Sequence, residues 1–357
     1  MSHCSKSAVA QIASKGRMGQ AKMTLWELRR VHLWQVLGPI EGYGDLYGVY
    51  KAGVMEYYPD YFEGIRRKVG LDCEVMKECF SPLQNLATIE ANAGNKGGRS
   101  TAFLYFTYNR RLLVKTLKHS ELHYLKKTFT DMHKYYTSQE GEKSLIARPL
   151  GMYTLYFTWC RAIHVAIFEN VMPPSSTLSA IFDLKGSTVN RNTLPPSTSI
   201  STLADLPAGP IYKELDLKRS GKLIGVSPAT LEWVLEQVKR DSVLLRNMRS
   251  MDYSLLLGFS TLEMDQVPKH LEGRTVLDQF TNKACFLGII DYAQKYTLRK
   301  RLESLAKRTS TPRLSPEAHS CVDPDLYQSR FEAFVKTLFS LANPEDPPEL
   351  QEAPQAI

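Results

Sequence analysis

Residues 182–191 read Phe-Asp-Leu-Lys-Gly-Ser-Thr-Val-Asn-Arg and come directly after an apolar run. Within them, Asp183, Lys185 and Gly186 supply a carboxylate, an ammonium group and a backbone position without a side chain. Phosphate chemistry uses these three features, because a cation neutralises developing negative charge and an acid binds a metal or accepts a proton. The same residues also suit an ordinary turn, so their meaning depends on the sequence around them.

The composition is that of a globular protein with an excess of positive charge. The chain has 357 residues, of which 43% are hydrophobic and 23% charged, and its net charge is +8. The length predicts two lobes or domains, and the charge favours an anionic partner such as nucleic acid, a phospholipid surface or a phosphorylated ligand. Six scattered cysteines form no Cys-x-x-Cys pair, so neither a zinc site nor a disulfide framework is predicted. The most apolar stretch, 153–172, carries charges and predicts two core strands rather than a membrane span.

A glycine-rich loop precedes the first clear β pattern. Residues 94–100 read Gly-Asn-Lys-Gly-Gly-Arg-Ser, and the candidate phosphate-binding positions in them are Gly97, Gly98 and Ser100. Backbone amides in such a loop can approach phosphate oxygens closely. A hairpin entry explains the glycines equally well, so the loop alone does not establish a nucleotide site.

A lysine in the following hairpin gives the loop more meaning. Alternating apolar residues over 102–108 and 111–117 predict two antiparallel strands, and Lys115 lies in the second. Alternation alone leaves open whether Lys115 points inward to an anion or outward to solvent. A glycine loop followed by a strand lysine is the order found in ATP-binding kinase lobes.

The rest of the chain shows alternating helical and strand patterns. Capping and periodicity predict a helix over 24–37, helix-like residues over 40–90, a helix from Ser120, strands near 152–157 and 163–169, a helix from Ser227, strands over 251–259 and 285–292, and a last helix over about 327–341.

Two further acids lie at the edges of predicted buried strands. Asp252 belongs to Met-Asp-Tyr-Ser-Leu-Leu-Leu, and Asp291 follows Phe-Leu-Gly-Ile-Ile. A carboxylate beside an apolar strand needs a partner, because burying it alone is costly. That partner is either a Lys or Arg, which is a structural role, or Mg²⁺, which phosphoryl transfer requires.

These motifs together resemble the phosphatidylinositol phosphate kinases, over roughly residues 45–340. The resemblance rests on the glycine loop with Lys115, on Asp-Leu-Lys-Gly-Ser-Thr, on Met-Asp-Tyr-Ser-Leu-Leu and on Gly-Ile-Ile-Asp, in this order. It implies an α+β, two-lobed fold that is distantly protein-kinase-like, with antiparallel sheets and helices. The expected parts are a basic N-terminal extension with a short helix (1–44), an N-terminal ATP-binding lobe (45–170), a C-terminal catalytic lobe (171–342) with a basic membrane loop (about 292–325), and a disordered tail (343–357).

The resemblance also implies a role for each candidate residue, with ATP and Mg²⁺ as cofactors. Lys115 would hold the α- and β-phosphates of ATP under the glycine loop. Asp291 would bind Mg²⁺, and Asp252 would help to place the metal or the attacking hydroxyl. Asp183 and Lys185 would face the transferring phosphoryl group. The sequence leaves open whether Asp183 or Asp252 is the base.

The implied reaction is phosphorylation of a phosphoinositide at an anionic membrane surface. Seven basic residues and one acid occupy 295–313, a segment suited to an anionic leaflet. Lys-Arg-Leu-Glu at 300–303 resembles the type I enzymes, which phosphorylate phosphatidylinositol 4-phosphate at the 5-position, whereas Asp-Pro-x-x-Tyr at 323–327 resembles type II. We expect a cytoplasmic protein, peripheral on the cytosolic face of membranes, that forms a homodimer or a heterodimer with related kinases. We do not expect it to bind nucleic acid.

Two departures from the family pattern keep a second hypothesis open. Thr101 occupies the position of the second loop glycine, and the acid of the small-lobe helix is either Glu121 or replaced by His123. The alternative is therefore a weakly active or inactive kinase-like scaffold that binds and localises active relatives. We interpret residues 1–40 as a surface-lying helix or an oligomer contact. Mitochondrial targeting, for which Arg-rich, acid-poor leaders are typical, is a further interpretation.

Overall fold

A computed structural model describes residues 21–23, 52–86, 102–157, 160–295 and 322–342 of the chain. The described residues form two compact units. The first comprises those up to His123 together with Arg148–Asn170, and the second comprises Tyr124–Ala147 and those from Val171 onward. The expected lobe limits, 45–170 and 171–342, remain a prediction. Among the two compact units, the segment Tyr124–Ala147 belongs to the second. The predicted 24–37 helix, the glycine loop, most of the basic loop and the tail lie outside the described residues.

The first unit contains a six-stranded sheet in the order β1-β2-β5-β6-β4-β3, with every neighbouring pair antiparallel. Its elements are β1 (Ala21–Met23), β2 (Ala52–Tyr57), α1 (Pro59–Lys68), α2 (Cys73–Cys79), β3 (Leu104–Phe106), β4 (Leu112–Leu117), β5 (Pro149–Phe157) and β6 (Cys160–Glu169).

Local sequence explains most of this sheet. The predicted hairpin is confirmed, with Leu104 opposite Lys115 and a turn in which Arg110 adopts a left-handed conformation. The stretch predicted to form two core strands does so in β5 and β6. The helix-like pattern over 40–90 was wrong for Ala52–Tyr57, which is strand β2, because pairing with β5 outweighs local periodicity.

The second unit contains a five-stranded sheet in the order β12-β13-β11-β7-β8. Its elements are α3 (His119–Thr137, of which the part from Tyr124 belongs here), α4 (Gln139–Glu142), β7 (Leu178–Leu184), β8 (Ile211–Tyr212), α5 (Glu214–Ser220), β9 (Ile224–Val226), α6 (Pro228–Asn247), β10 (Ser250–Met251), β11 (Ser254–Ser260), β12 (Thr275–Asp278), β13 (Lys283–Ile290), β14 (Gln294–Lys295), α7 (Pro324–Lys336) and β15 (Phe339–Leu341).

Helix α6 is the longest helix among the described residues of this unit and begins as its sequence predicts. Ser227 caps it by accepting a hydrogen bond from the Thr230 amide at 3.2 Å, and Pro228 occupies the first turn. Its buried face includes Val234, Val238 and Leu245. The helix therefore forms because a cap, a compatible proline and an apolar stripe coincide.

The last predicted helix ends earlier than its apolar pattern indicated. Helix α7 stops at Lys336, and Phe339–Leu341 form β15, which pairs in parallel with β9. This pairing joins residues that are far apart in the chain, so periodicity could not reveal it. The predicted α+β class, with antiparallel sheets and helices, is confirmed. Within the described part of the chain, the helices are all too short or too polar to cross a membrane.

Candidate active site

Three neighbouring antiparallel strands of the second unit bring the predicted acids to one end of the sheet. Strand β7 ends at Leu184, which lies opposite Leu255 near the start of β11, while Ser254 lies opposite Ile290 at the end of β13. Four candidate residues of this unit therefore lie where these three strands end, at one end of the sheet. We call this end, and equally this edge, the acidic end: Asp183, Lys185, Asp252 and Asp291.

The acidic end contains two facing interruptions in a strand pair. Beyond Ser254 and Ile290 the same two chain segments pair again as β10 and β14, with Met251 opposite Gln294. Asp252 and Asp291 lie in the interruptions, with left-handed backbones at φ values of 65° and 61°. Non-glycine residues held in this conformation concentrate at functional sites. The interruptions turn both residues out of the regular ladder at the same sheet edge.

Lys185 and Asp252 form an ion pair between two candidate residues at this edge. The Lys185 Nζ lies 2.8 Å from Asp252 Oδ1, and the two side chains are 13% and 27% exposed. Asp291 is more exposed. The edge thus presents a cation and carboxylates that solvent reaches in part, as a site for an anionic ligand with a metal requires.

Arg191 joins Asp183 to a buried acid that sequence reasoning did not select. Its Nε donates to Glu214 Oε2 at 2.6 Å, and its Nη2 lies 3.3 Å from Asp183 Oδ1 and donates to the Asp183 carbonyl. Burial alone would lower the pKa of Arg191, but Glu214 and Asp183 together raise it above its ordinary value. Arg191 is therefore a permanent cation beside Asp183.

Glu214 also fixes the turn that carries Lys185. Its Oε1 accepts hydrogen bonds from the amides of Lys185 at 2.5 Å and Ser187 at 3.4 Å. Between them, Gly186 has a φ of 71°, and a Cβ there would meet Phe334 Cβ at 3.0 Å. The turn requires glycine for both its conformation and the close approach of α7.

The remaining predicted residues lie outside this edge. Lys115 belongs to β4 of the first unit, is partly buried, and lies opposite Leu104 and Ala166. Glu121 accepts a hydrogen bond from the Lys118 amide at 2.7 Å, which is a helix-capping contact, and His123 is exposed. Three predicted phosphate-loop residues fall outside the described part of the chain: Gly97, Gly98 and Ser100.

The acidic end suits Mg²⁺ better than a metal enclosed by protein ligands. Among the residues that the structure describes, no group of three or more His, Cys, Asp or Glu side chains can hold a metal ion. Mg²⁺ commonly takes one or two carboxylates and completes its shell with water and substrate phosphates. Asp252 and Asp291 match that requirement in number and chemistry.

Three residues with clear roles at this edge had no assigned role in the sequence reasoning. They are Arg191, Glu214 and Arg330, of which the last donates from its Nη2 to the Lys185 carbonyl at 3.2 Å. Arg191 is the last residue of the 182–191 motif, so its charge could have been recognised there as part of the site. Glu214 and Arg330 reach the turn from 29 and 145 residues away along the chain, and no local pattern marks them.

Comparison with known proteins gives a family match over most of the chain. The model of the family described as Phosphatidylinositol-4-phosphate 5-Kinase matches residues 87–282 and 269–338. The chain is 28% identical over 312 residues to Phosphatidylinositol 4-phosphate 5-kinase-like protein 1 of Homo sapiens, covering 77% of this chain and 73% of that protein.

Two proteins named as kinases of different phosphoinositides are also similar to this chain. Phosphatidylinositol 4-phosphate 5-kinase its3 of Schizosaccharomyces pombe is 27% identical over 58% of this chain and 26% of that protein. Phosphatidylinositol 5-phosphate 4-kinase type-2 beta of Rattus norvegicus is 28% identical over 66% of this chain and 53% of that protein. The chain thus spans about half or less of these two relatives.

Proposed function

Because the chain belongs to the Phosphatidylinositol-4-phosphate 5-Kinase family, we propose that it is a lipid kinase acting on phosphatidylinositol 4-phosphate. It transfers the γ-phosphate of ATP to the 5-hydroxyl and makes phosphatidylinositol 4,5-bisphosphate. The observation that carries the proposal is the acidic end, where Lys185 and three aspartates meet at one sheet edge. Phosphoryl transfer depends mainly on positioning and charge stabilisation, which this set of groups can provide.

The proposed reaction assigns a task to each group. Asp291 and Asp252 would hold Mg²⁺, which would supply positive charge to offset the negative charge of the triphosphate and of the leaving group. The bond between the γ-phosphorus and the β–γ bridging oxygen breaks, a bond to the inositol oxygen forms, and ADP leaves. Either Asp183 or Asp252 accepts the hydroxyl proton, and Lys185 neutralises the transferring group. Lys115, with Gly97, Gly98 and Ser100, binds the phosphates of ATP.

The choice of phosphatidylinositol 4-phosphate rests on the sequence around 300–303, which resembles the type I enzymes. The basic segment 295–313 supports binding to an anionic leaflet, where each basic residue contributes about 1 kcal/mol. We propose peripheral attachment to the cytosolic face of membranes, and a dimer with itself or with a related kinase. Because one relative is named as a phosphatidylinositol 5-phosphate 4-kinase, phosphatidylinositol 5-phosphate is the main alternative substrate.

A second candidate function is a weakly active or inactive scaffold for active kinases. It is favoured by Thr101, whose branched side chain hinders close approach to phosphate, and by the similarity to a protein named only as kinase-like. This candidate retains lipid and nucleotide binding but predicts little phosphate transfer.

One assay separates the two candidates. The full chain is given Mg²⁺, γ-labelled ATP and vesicles that contain one monophosphorylated phosphoinositide at a time. The wild type is compared with Asp291→Asn, and with Asp265→Asn as a matched control, because Asp265 is an exposed acid on a short turn of the same unit.

The lipid kinase proposal expects label in phosphatidylinositol 4-phosphate above the other lipids, lost in Asp291→Asn and kept in the control. Nucleotide binding without transfer by the wild type would support the scaffold. Transfer to the 5-phosphate lipid instead would retain the kinase and overturn the specificity.

A further inference from the structure

Helix α7 contacts both chain segments that carry the central ion pair. Arg330 donates from Nη2 to the Lys185 carbonyl at 3.2 Å. Tyr327, one helical turn earlier, donates its hydroxyl to the carbonyl of Tyr253, the residue next to Asp252. The same helix therefore holds the backbone beneath each partner of the Lys185–Asp252 pair.

These contacts belong to a closely packed group of side chains. The guanidinium carbon of Arg330 lies 4.6 Å from the centroid of the Tyr327 ring. The Tyr327 ring lies 4.5 Å from that of Tyr253, which in turn lies 5.0 Å from that of Phe331. All three rings are at most 1% exposed, so they have little room to move independently.

Burying the charged side chain of Arg330 at this position costs free energy. It is 9% exposed, and burial lowers its pKa, so the charged form is held against a desolvation cost. An apolar side chain would fill the same space without that cost. The guanidinium donates a hydrogen bond to Lys185 and lies over the Tyr327 ring, and a non-planar cation such as lysine can make these two contacts only in part.

A third contact restricts the same turn. Gly186, between Lys185 and Ser187, leaves room for Phe334 of α7, and a side chain at this position would meet Phe334 at 3.0 Å. The turn is thus held by Glu214 through its amides and by α7 through Arg330 and Phe334. The position of the turn therefore depends on the position of α7.

We propose that Arg330 is a positioning residue which, with Tyr327, sets the placement of Lys185 relative to Asp252. It acts through these two residues and does not touch the substrate. The effect on catalysis rests on the proposed kinase function, whereas the effect on the two backbone segments does not.

The test measures backbone order and catalysis separately in the full chain. Amide hydrogen exchange is followed in peptides that cover 183–188 and 250–255, with β12 (Thr275–Asp278) as an internal reference. Kinetics with Mg²⁺-ATP and phosphatidylinositol 4-phosphate vesicles give kcat and the KM for ATP per folded molecule. The variants are Arg330→Ala, Arg330→Lys and Tyr327→Phe, and Lys336→Ala is the matched control because it removes an exposed charge from the same helix.

We expect Arg330→Ala to raise exchange in both site peptides about tenfold while the reference peptide is unchanged. The kcat should fall roughly tenfold with an unaltered KM for ATP, and Arg330→Lys should restore part of the loss. Lys336→Ala should match the wild type. Unchanged exchange in 183–188 in folded Arg330→Ala would overturn the proposal.

Two outcomes keep the proposal testable if a variant or the activity fails. Should Arg330→Ala not fold, Tyr327→Phe decides, since it keeps the ring and removes only the hydroxyl that contacts the Tyr253 carbonyl. Faster exchange in 250–255 then supports the proposal, and wild-type exchange there contradicts it. Should the wild type lack transfer activity, the kinase function fails while the exchange result still decides the positioning role.

Discussion

The second unit uses aspartate in two opposite ways. In the interior, Asp241 is fully buried and accepts hydrogen bonds from Tyr135, Ser144, Leu145 and Gln237. At the acidic end, Asp252 is 27% exposed and Asp291 is exposed, and both have left-handed backbones. Burial with several hydrogen bonds therefore marks an acid that holds the fold, whereas partial exposure on a strained backbone marks an acid that a ligand can reach.

The largest effect should come from removing an acid at the acidic end. Asp252→Asn keeps the shape but removes the charge that pairs with Lys185, so phosphate transfer should fall by about 10²- to 10³-fold. The melting temperature should change by only a few degrees, because the side chain is partly solvated. Transfer assays and thermal melts of the same preparation check both points.

Asp325→Asn is the control for that variant, since the Asp325 side chain is 80% exposed on α7. If Asp252→Asn kept more than a tenth of wild-type transfer, the distinction between the two kinds of aspartate would be broken.

A stability effect should follow from changing the buried acid. Asp241→Asn replaces one acceptor oxygen by an NH2 donor, which leaves at least one buried donor without its acceptor, so we expect a loss of about 2–3 kcal/mol in the free energy of unfolding. Transfer per folded molecule should stay near the wild-type value. Urea unfolding of both proteins measures the loss, and an unchanged midpoint would contradict the structural role of Asp241.

The pH dependence of that loss sharpens the comparison. Burial raises the pKa of Asp241, and this effect outweighs the four hydrogen-bond donors, which lower it. The folded protein therefore retains the proton at a higher pH than the unfolded chain does. The stability that protonation gives is present below the unfolded pKa of about 3.9 and is lost as the pH rises through the folded pKa. Tyr135 stays neutral there, since burial also raises its pKa.

The advantage of the wild type over Asp241→Asn should therefore narrow as the pH increases from about 4. Unfolding free energies of both proteins at pH 5 and pH 8 give the comparison. An advantage that widened with pH would show that the four donors outweigh desolvation.

The smallest effect is expected on the surface of α6. Arg240 pairs with Glu236 at 3.0 Å, and both side chains are more than 40% exposed. Arg240→Ala should change the unfolding free energy by less than about 0.5 kcal/mol and leave transfer unaltered. A larger loss in urea unfolding would mean that exposure does not separate structural from dispensable charges in this unit.

Local sequence predicted much of the fold because the signals are local. The hairpin that contains Lys115 follows from alternation, and α6 follows from a cap at Ser227 with an apolar stripe. Strand β15 did not follow, since its pairing partner Ile224–Val226 lies more than 100 residues earlier. Strand β2 was missed for the same kind of reason.

The acids of the site could be predicted from the sequence, whereas the buried residues that hold them in place could not. Asp252 and Asp291 stood out because a charge at the edge of an apolar strand is unusual, and the antiparallel register places both at one end of the sheet. The buried Glu214 and Arg330 act through backbone contacts that arise only after distant segments have come together. A charged residue beside an apolar strand can be recognised from the sequence. Its buried partners from distant segments cannot.

The most direct test of the acidic end as a phosphoryl-transfer centre is product formed per folded molecule by Asp291→Asn and Asp241→Asn under identical conditions. Both variants exchange one aspartate for asparagine in the same unit, so only the location differs. We expect Asp291→Asn to fold as the wild type does and to make no phosphatidylinositol 4,5-bisphosphate above background, while Asp241→Asn is less stable and its folded fraction remains active. Wild-type product formation by Asp291→Asn would contradict a phosphoryl-transfer role of the acidic end.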